Sequence, residues 1–273
     1  MIHRLWEHRE LTLEMARRHV RAMYVGSALG AFWTVVQPFC MLVVYTLVFG
    51  LIMRVRLGAE DVGPWFYGLK LCAALLPWQV FVDGFHRGTG ALVDNAHLLR
   101  KSVFPGEILA VSLALSGAIQ FALTMALYLV LQALLAGLGL VPFTLSAWVL
   151  AAPLVFVLQL LFTVGLSWVT GSLHAFFRDT APLVSTLTTI WFFGSPIVYN
   201  PEYLDSWKSV PMWIRQLYAI NPWYRFAELY QSTLMGFPPR PVTVLVVCIW
   251  TAGALVAGAL VFDRMRKDMV DVI

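Results

Sequence analysis

Apolar residues run in long blocks separated by short charged segments. Six blocks, at residues 31–53, 66–82, 108–136, 147–170, 183–198 and 242–262, reach or approach the roughly 20 residues that cross a bilayer as a helix. The pattern predicts an all-α polytopic membrane protein with six transmembrane helices. Ahead of the first block, Leu5, Trp6, Leu13, Ala16, Val20, Met23 and Tyr24 recur at helical spacing, with Glu7, Glu10, Glu14, Arg17, Arg18 and Arg21 mostly elsewhere. This predicts an amino-terminal amphipathic helix, either lying along the membrane interface or exposed and bridging into the first span. Gly26 and Gly30 punctuate the approach to that span. The fifth block is short and bounded by Pro182 and Pro196. Between it and the last span, residues 211–220 and 223–235 form two moderately apolar stretches broken at Asn221-Pro222, each too short to cross. They read either as short re-entrant helices on the outer side, whose ends protein or a watery cavity must satisfy, or as an extramembrane cap. No internal repeat stands out. The whole of 1–273 therefore reads as one domain, with 1–30 the interface helix, 31–198 spans one to five, 199–241 an outer-side gate segment, 242–262 span six and 263–273 a tail.

Composition sharpens this picture. The chain of 273 residues is 60% hydrophobic and 12% charged, against about 45–50% and about 25% in soluble domains. From 108 to 177, 70 consecutive residues hold no Asp, Glu, Lys or Arg. These figures exclude a disordered, collagen-like or nucleic-acid-coating chain. The net charge of +4 reports orientation before it reports a partner. With both termini cytoplasmic, 12 Lys and Arg fall on the inner side, 6 on the outer, and Lys70 inside the second span. The twofold excess supports that orientation. Cys40, Cys72 and Cys248 lie in apolar runs without a Cys-x-x-Cys pair and read as small hydrophobes. The charged stretch before residue 31 is too long for the n-region of a cleaved signal, so the amino terminus is expected to be retained.

The missing chemistry is equally informative. None of the four lysines, Lys70, Lys101, Lys208 and Lys267, follows a glycine, so no P-loop can hold ATP here. There is no His-Glu-x-x-His and no Gly-x-Ser-x-Gly, and the six histidines fall on predicted cytoplasmic segments without ligand spacing. No catalytic site, metal or cofactor is expected on this chain. Ion-coupled carriers use protonatable groups at membrane depth, and the predicted span interiors carry none. Lys70, the single charge there, either marks an anionic path or snorkels to the headgroups. The aromatic cluster Trp191, Phe192, Phe193 and Tyr199 sits on the short fifth span, where flat rings suit the apolar faces of sugars; packing within the core is the other reading.

Several stretches share one family's order. Tyr24-Val25-Gly26-Ser27-Ala28-Leu29-Gly30-Ala31-Phe32-Trp33 leads to Pro38, and Arg100-Lys101-Ser102-Val103-Phe104-Pro105-Gly106-Glu107 opens the third span. Phe176-Phe177-Arg178-Asp179 precedes Trp191 and Ser195-Pro196-Ile197-Val198-Tyr199, and Asn221-Pro222 follows. This succession resembles the permease subunits of type-2 ATP-binding-cassette exporters, especially those moving O-antigen, capsular polysaccharide or teichoic acid. Met23, Gln37 and Gly106 depart from residues common in that family and bear on substrate subclass.

The resemblance implies a homodimer of six-span subunits in the bacterial inner membrane, bound to two copies of a separate ATPase subunit that holds ATP and Mg. It implies contact with membrane lipids and a lipid-linked glycan substrate, and no nucleic acid. It places the ATPase contact on the amino-terminal helix, with Arg17, Arg18 and Arg21, and on the loop from about Phe85 to Phe104, with Arg87, Asp94, Asn95, His97, Arg100 and Lys101. With Lys70 and the aromatic cluster read above, it gives a substrate path along Trp33, Lys70, Arg178, Asp179, Trp191, Phe192, Phe193 and Tyr199, with Arg178 and Asp179 either a gate pair or a helix-start anchor. A channel between the first and fifth spans of two protomers would open as the ATPase dimer closes. Export of a drug or other small amphiphile is the alternative within the family, and an ion-coupled secondary carrier the alternative outside it.

Overall fold

A computed structural model describes residues 2–25, 32–52, 63–101, 104–142, 146–198 and 211–272, and among these every regular element is helical. In order they are α1 (Ile2–Glu7), α2 (Arg9–Tyr24), α3 (Trp33–Tyr45), which continues as a π-helical segment Thr46–Ile52, α4 (Pro64–Asp94) and α5 (Ala96–Lys101). There follow α6 (Glu107–Gly137), a 3-10 turn Ala147–Ala151 leading into α7 (Ala152–Phe176), α8 (Thr180–Phe193), α9 (Met212–Ile220), α10 (Pro222–Leu234) and α11 (Pro241–Val272).

Four of the described helices are long and apolar enough to cross a membrane: Pro64–Asp94, Glu107–Gly137, Ala147–Phe176 and Pro241–Arg266. The apolar stretches of α3 and α8 are shorter. α4 is the central post and packs against α6, α7, α8, α10 and the π-helical segment. Among the described helices, α7 and α11 pack against each other most extensively. At their crossing a Cβ on Gly258 would lie 2.3 Å from the Gly165 carbonyl oxygen, so only glycine permits the approach.

The second span differs from expectation. Its helix does not stop near Val82 but runs unbroken to Asp94, because Phe85, Gly88, Ala91 and Leu92 keep a buried face at three- and four-residue spacing. Asp83 and Arg87 pair one turn apart, so the charges there do not end the helix. The segment expected as a loop from Phe85 to Phe104 is therefore helical as far as Lys101 apart from Asn95. At 31 residues α4 is about 46 Å long, longer than a hydrocarbon core of about 30 Å. The fifth span also differs: α8 stops at Phe193, and Gly194 to Val198 turn without helix, since Pro196 supplies no N–H.

The break at Asn221-Pro222 falls where the sequence places it. Asn221 caps α10, its Oδ1 accepting from the Trp223 N–H at 2.9 Å, with Pro222 in the first turn. α10 is packed inside the bundle: Trp223, Phe226, Leu229 and Tyr230 are buried against α4, α7 and α11. The Tyr230 hydroxyl donates to Gln159 Oε1 at 2.8 Å, and Gln159 Nε2 donates to the Pro77 carbonyl at 3.1 Å. These buried polar groups are thus satisfied.

At the other end of the bundle, α2 buries Thr12, Met15 and Ala16, lies on α6, and leaves Glu10, Glu14, Arg17, Arg18 and Arg21 exposed. α1 is tied down by Arg4, whose guanidinium stands 3.4 Å from Glu107 and 3.7 Å from Asp263. The Glu107 side chain, at the start of α6, is only 5% exposed.

Candidate functional site

A groove of about 480 Å³ opens between α3, α4 and α8. Its floor is α4, where Gln79, Asp83 and His86 recur at four- and three-residue spacing and so share one helix face. Tyr45 of α3 stands on one side, Thr188, Thr189 and Phe192 of α8 on the other, and Trp78 at the apolar end. The polar groups are held by named partners. His86 Nε2 lies 2.8 Å from Thr188 Oγ1, Gln79 Nε2 donates to the Met41 sulfur, and Arg87 donates to Asp83 Oδ2. The Thr188 and Thr189 hydroxyls both donate to the Ser185 carbonyl, at 2.9 and 3.1 Å. Thr188 Oγ1 is then left to accept, which puts the His86 proton on Nε2 and leaves Nδ1 as an acceptor in the neutral ring.

Beyond the groove lies an aromatic cluster. Trp78 meets Trp223 edge-on at 4.8 Å between centroids, Trp191 edge-on at 6.1 Å, and Phe192 at 5.8 Å. Phe81, Phe162 and Phe226 complete it. Trp191 is locked twice, by this packing and by its indole N–H, which donates to Asn221 Oδ1 at 2.7 Å. Asn221 Nδ2 donates in turn to the Gly194 carbonyl and to Ser195 Oγ. One side chain thus joins the end of α8 to the start of α10.

The opposite side of α8 is open, with Phe193 meeting Phe192 edge-on at 5.2 Å between centroids. Leu183, Leu187, Ile190 and Phe193 are exposed along it, as are Phe39, Val44 and Leu47 along α3 and its π-helical continuation. The groove lies between these two uncovered faces.

Comparison with known proteins places this architecture. The family model for ABC-2 type transporters matches residues 10–235. The chain belongs to the ABC-2 type transporter family. Among relatives, it is 28% identical over 278 residues to an O-antigen export system permease protein RfbA of Myxococcus xanthus, with 100% of this chain and 99% of that protein covered. Two proteins of the same name from Klebsiella pneumoniae are 30% and 24% identical, each over 264 residues, covering 97% of this chain and 95% of theirs. This ABC-2 chain is accordingly a multi-pass membrane transporter component.

The residues that the sequence singles out in this ABC-2 chain fall into separate places. Trp33 is 53% and Phe193 69% exposed, while Trp191 and Phe192 are partly buried against the aromatic core. Lys70 sits partly buried on α4, its carbonyl accepting from Gln231 Nε2 at 3.3 Å. Arg178 and Asp179 are exposed in the turn before α8. Arg17, Arg18 and Arg21 line the outer face of α2, Asp94 and His97 are exposed near the α4–α5 junction, and Asn95 caps α4, its Nδ2 donating to the Ala91 carbonyl at 2.8 Å. Arg87, expected on a loop, is within α4, close enough to His19 of α2 to act on its titration. Tyr199 and the side chains of Arg100 and Lys101 lie outside the described residues.

The groove residues Gln79, Asp83, His86, Thr188 and Thr189 escape a reading by hydrophobic blocks. Their spacing is visible as Gln79-x-x-x-Asp83-x-x-His86. Ending the second span at the first charge hides it, and with it the carboxylate and imidazole that a transmembrane helix carries.

Proposed function

We propose that this chain is the channel-forming subunit of an ATP-driven exporter that moves a lipid-linked polysaccharide of the O-antigen or capsule type across the bacterial inner membrane. The observation that carries the proposal is the end-to-end likeness, covering 97–100% of this chain, to three proteins named as O-antigen export permeases. The geometry agrees with it. A polar and aromatic groove flanked by two uncovered apolar helix faces is half of a lined path, and a second protomer would supply the other half.

In this reading α3, α4, α6, α7, α8 with its following turn, and α11 are the six crossings, and both termini are cytoplasmic. α2 lies along the inner interface with its arginines toward a separate ATPase subunit that binds ATP and Mg, and the end of α4 with α5 forms the rest of that contact. α9 and α10 are the re-entrant outer-side helices. Closure of the ATPase dimer pushes α2 and α5, shifts α8 at its Arg178-Asp179 turn, and opens the path between α3 and α8 of the two protomers. Only a difference in affinity of nucleotide for the two states can drive that shift. Phe193 and Trp33 then offer rings to the passing glycan.

Asp83 and His86 are a titratable pair of the kind an ion-coupled carrier uses, so the test needs an arm for it. The complex with its ATPase is reconstituted in sealed vesicles, and ATP turnover and transport are measured with and without the lipid-linked glycan of the same cell. The proposal expects stable co-purification and glycan-sensitive turnover. Failure to bind an ATPase, with transport that collapses when the proton gradient is dissipated, overturns it in favour of a carrier.

A further inference from the structure

A second cavity, sharing no residue with the groove, lies where α1, α5, α6 and α11 meet. It holds about 310 Å³ and carries charges of both signs: the guanidiniums of Arg4 and Arg266 and the carboxylate of Glu107, beside the imidazole of His8. Leu92, Leu99, Phe104 and Phe262 form its apolar wall. The apolar stretch of α11 that is long enough to cross a membrane ends at Arg266 itself, so the cavity stands at the level of lipid headgroups.

Glu107 is the group that calls for a ligand. Its side chain is 5% exposed, and among the described residues the cation facing it is Arg4, at 3.4 Å, beyond the about 2.7–2.9 Å of a charge-assisted hydrogen bond. A carboxylate accepts several hydrogen bonds, and a buried one needs them. Arg4 is also shared with Asp263, at 3.7 Å. The described charges around the cavity then balance, two guanidiniums against two carboxylates, so a simple anion gains no net attraction. A zwitterion does, its anionic end meeting the guanidiniums and its N–H donors meeting Glu107. Gly106 keeps the space open, since a Cβ there would stand 3.2 Å from Leu99, 3.4 Å from Leu92 and 3.5 Å from Phe262.

From this we infer that the cavity binds the zwitterionic headgroup of a bilayer lipid that pairs a phosphate with a primary ammonium, as in phosphatidylethanolamine. Arg266 and Arg4 hold the phosphate, and Glu107 accepts from the ammonium. The volume, at the lower end of the about 300–1,000 Å³ typical of small-molecule sites, suits a headgroup and not a whole lipid. Leu99 belongs to α5, so an occupied cavity buttresses the helix that the exporter reading sets against the ATPase. That consequence, and the assignment of the cavity to the inner leaflet, rest on the exporter reading; the binding itself does not.

The test is native mass spectrometry of the permease purified with its ATPase and titrated in turn with three lipids. They are phosphatidylethanolamine, phosphatidylcholine, whose ammonium has no N–H, and phosphatidylglycerol, which has the phosphate and no cation. The first phosphatidylethanolamine is expected to bind about tenfold more tightly than the first of either other lipid, about the worth of one hydrogen bond to a charged group. Arg266→Gln removes a guanidinium and Gly106→Leu fills the space, and each should erase that preference. Arg264→Gln, at an exposed position two residues away on another face of α11, should keep it. No preference in the wild type, a preference for phosphatidylglycerol, or a preference that survives both cavity variants overturns the inference. Displacement of the lipid by free phosphoethanolamine at equal concentration assigns the cavity to a soluble ligand and overturns it as well. If Gly106→Leu fails to assemble, Arg266→Gln carries the comparison. A permease that purifies without any ATPase counts against the exporter reading yet can still be titrated, so the two failures are told apart.

Discussion

Asn221 makes more of the structure than any other polar side chain among the described residues of the outer segment. It caps α10, receives the Trp191 indole proton and donates to Gly194 and Ser195. Asn221→Ala removes the cap and leaves the half-buried indole N–H without its acceptor. We expect a loss of about 2–3 kcal/mol from these combined effects, with Asn221→Asp losing less because its carboxylate still caps. Chemical unfolding of the purified chain in mixed micelles measures both.

His19 sets a second expectation at this scale. Burial first, then the Arg87 and Arg18 guanidiniums, holds its imidazole below the usual value of 6.5, so the folded chain keeps it neutral. The unfolded segment takes up a proton near that usual value while the folded one does not. The docking of α2 is therefore undiminished above it and weakens as pH falls from 6.5 toward the lower folded value. Protection of the α2 amides, taken relative to the intrinsic exchange rate at each pH, should fall as pH is lowered from about 6.5 to about 5.5, and His19→Asn should flatten that dependence.

Between elements, helix approach is set by a few small residues. Gly258→Ala would drive a methyl into the Gly165 carbonyl, and Gly165 itself would carry a Cβ 2.4 Å from the Ala254 backbone. Both contacts are backbone and cannot yield by a side-chain rotation. The expected loss is about 1–3 kcal/mol for Gly258→Ala. Gly253→Ala, with open space around it, should be neutral or stabilising by up to about 1 kcal/mol. Parallel unfolding curves of the two variants make the comparison.

The tether of α1 is electrostatic. Arg4→Ala leaves the buried Glu107 carboxylate without the cation that faces it. The loss should fall below the about 3–5 kcal/mol of a fully buried pair, because the Arg4 side chain is 38% exposed. Adding Glu107→Gln should recover most of it. Protease cleavage within α1 and α2, followed in the single and double variants, measures the docking.

For the whole molecule the decisive quantity is sidedness. The exporter reading puts both termini inside and the turn after α6 outside. In a cysteine-free background, where Cys40, Cys72 and Cys248 are replaced, Leu138→Cys should be labelled by an impermeant thiol reagent in intact cells. Asp268→Cys should be labelled only after the membrane is opened. The reverse pattern would invert the topology and remove the ATPase contact from α2.

Much of this architecture is local and therefore legible along the chain. Lipid offers backbone groups no partners, so every long apolar block must be helical, and proline and asparagine-proline steps must interrupt it. The short α8 and the break between α9 and α10 at Asn221 follow from this alone. Where α4 ends, which aromatic rings are core and which are open, and which polar residues share a groove depend on neighbours far apart in sequence. Asp83, His86 and Arg87 look like the start of a loop until the buried face of Phe85, Gly88 and Leu92 finds its neighbours on other helices. Trp191 is one aromatic among several on the fifth span until Trp78, Phe81 and Phe162 pack against it and Asn221 accepts from its indole. Hydropathy determines that a helix forms and is buried in lipid or protein. Only the packing of one helix on another decides its rotation, and rotation selects the side chains that a substrate can meet.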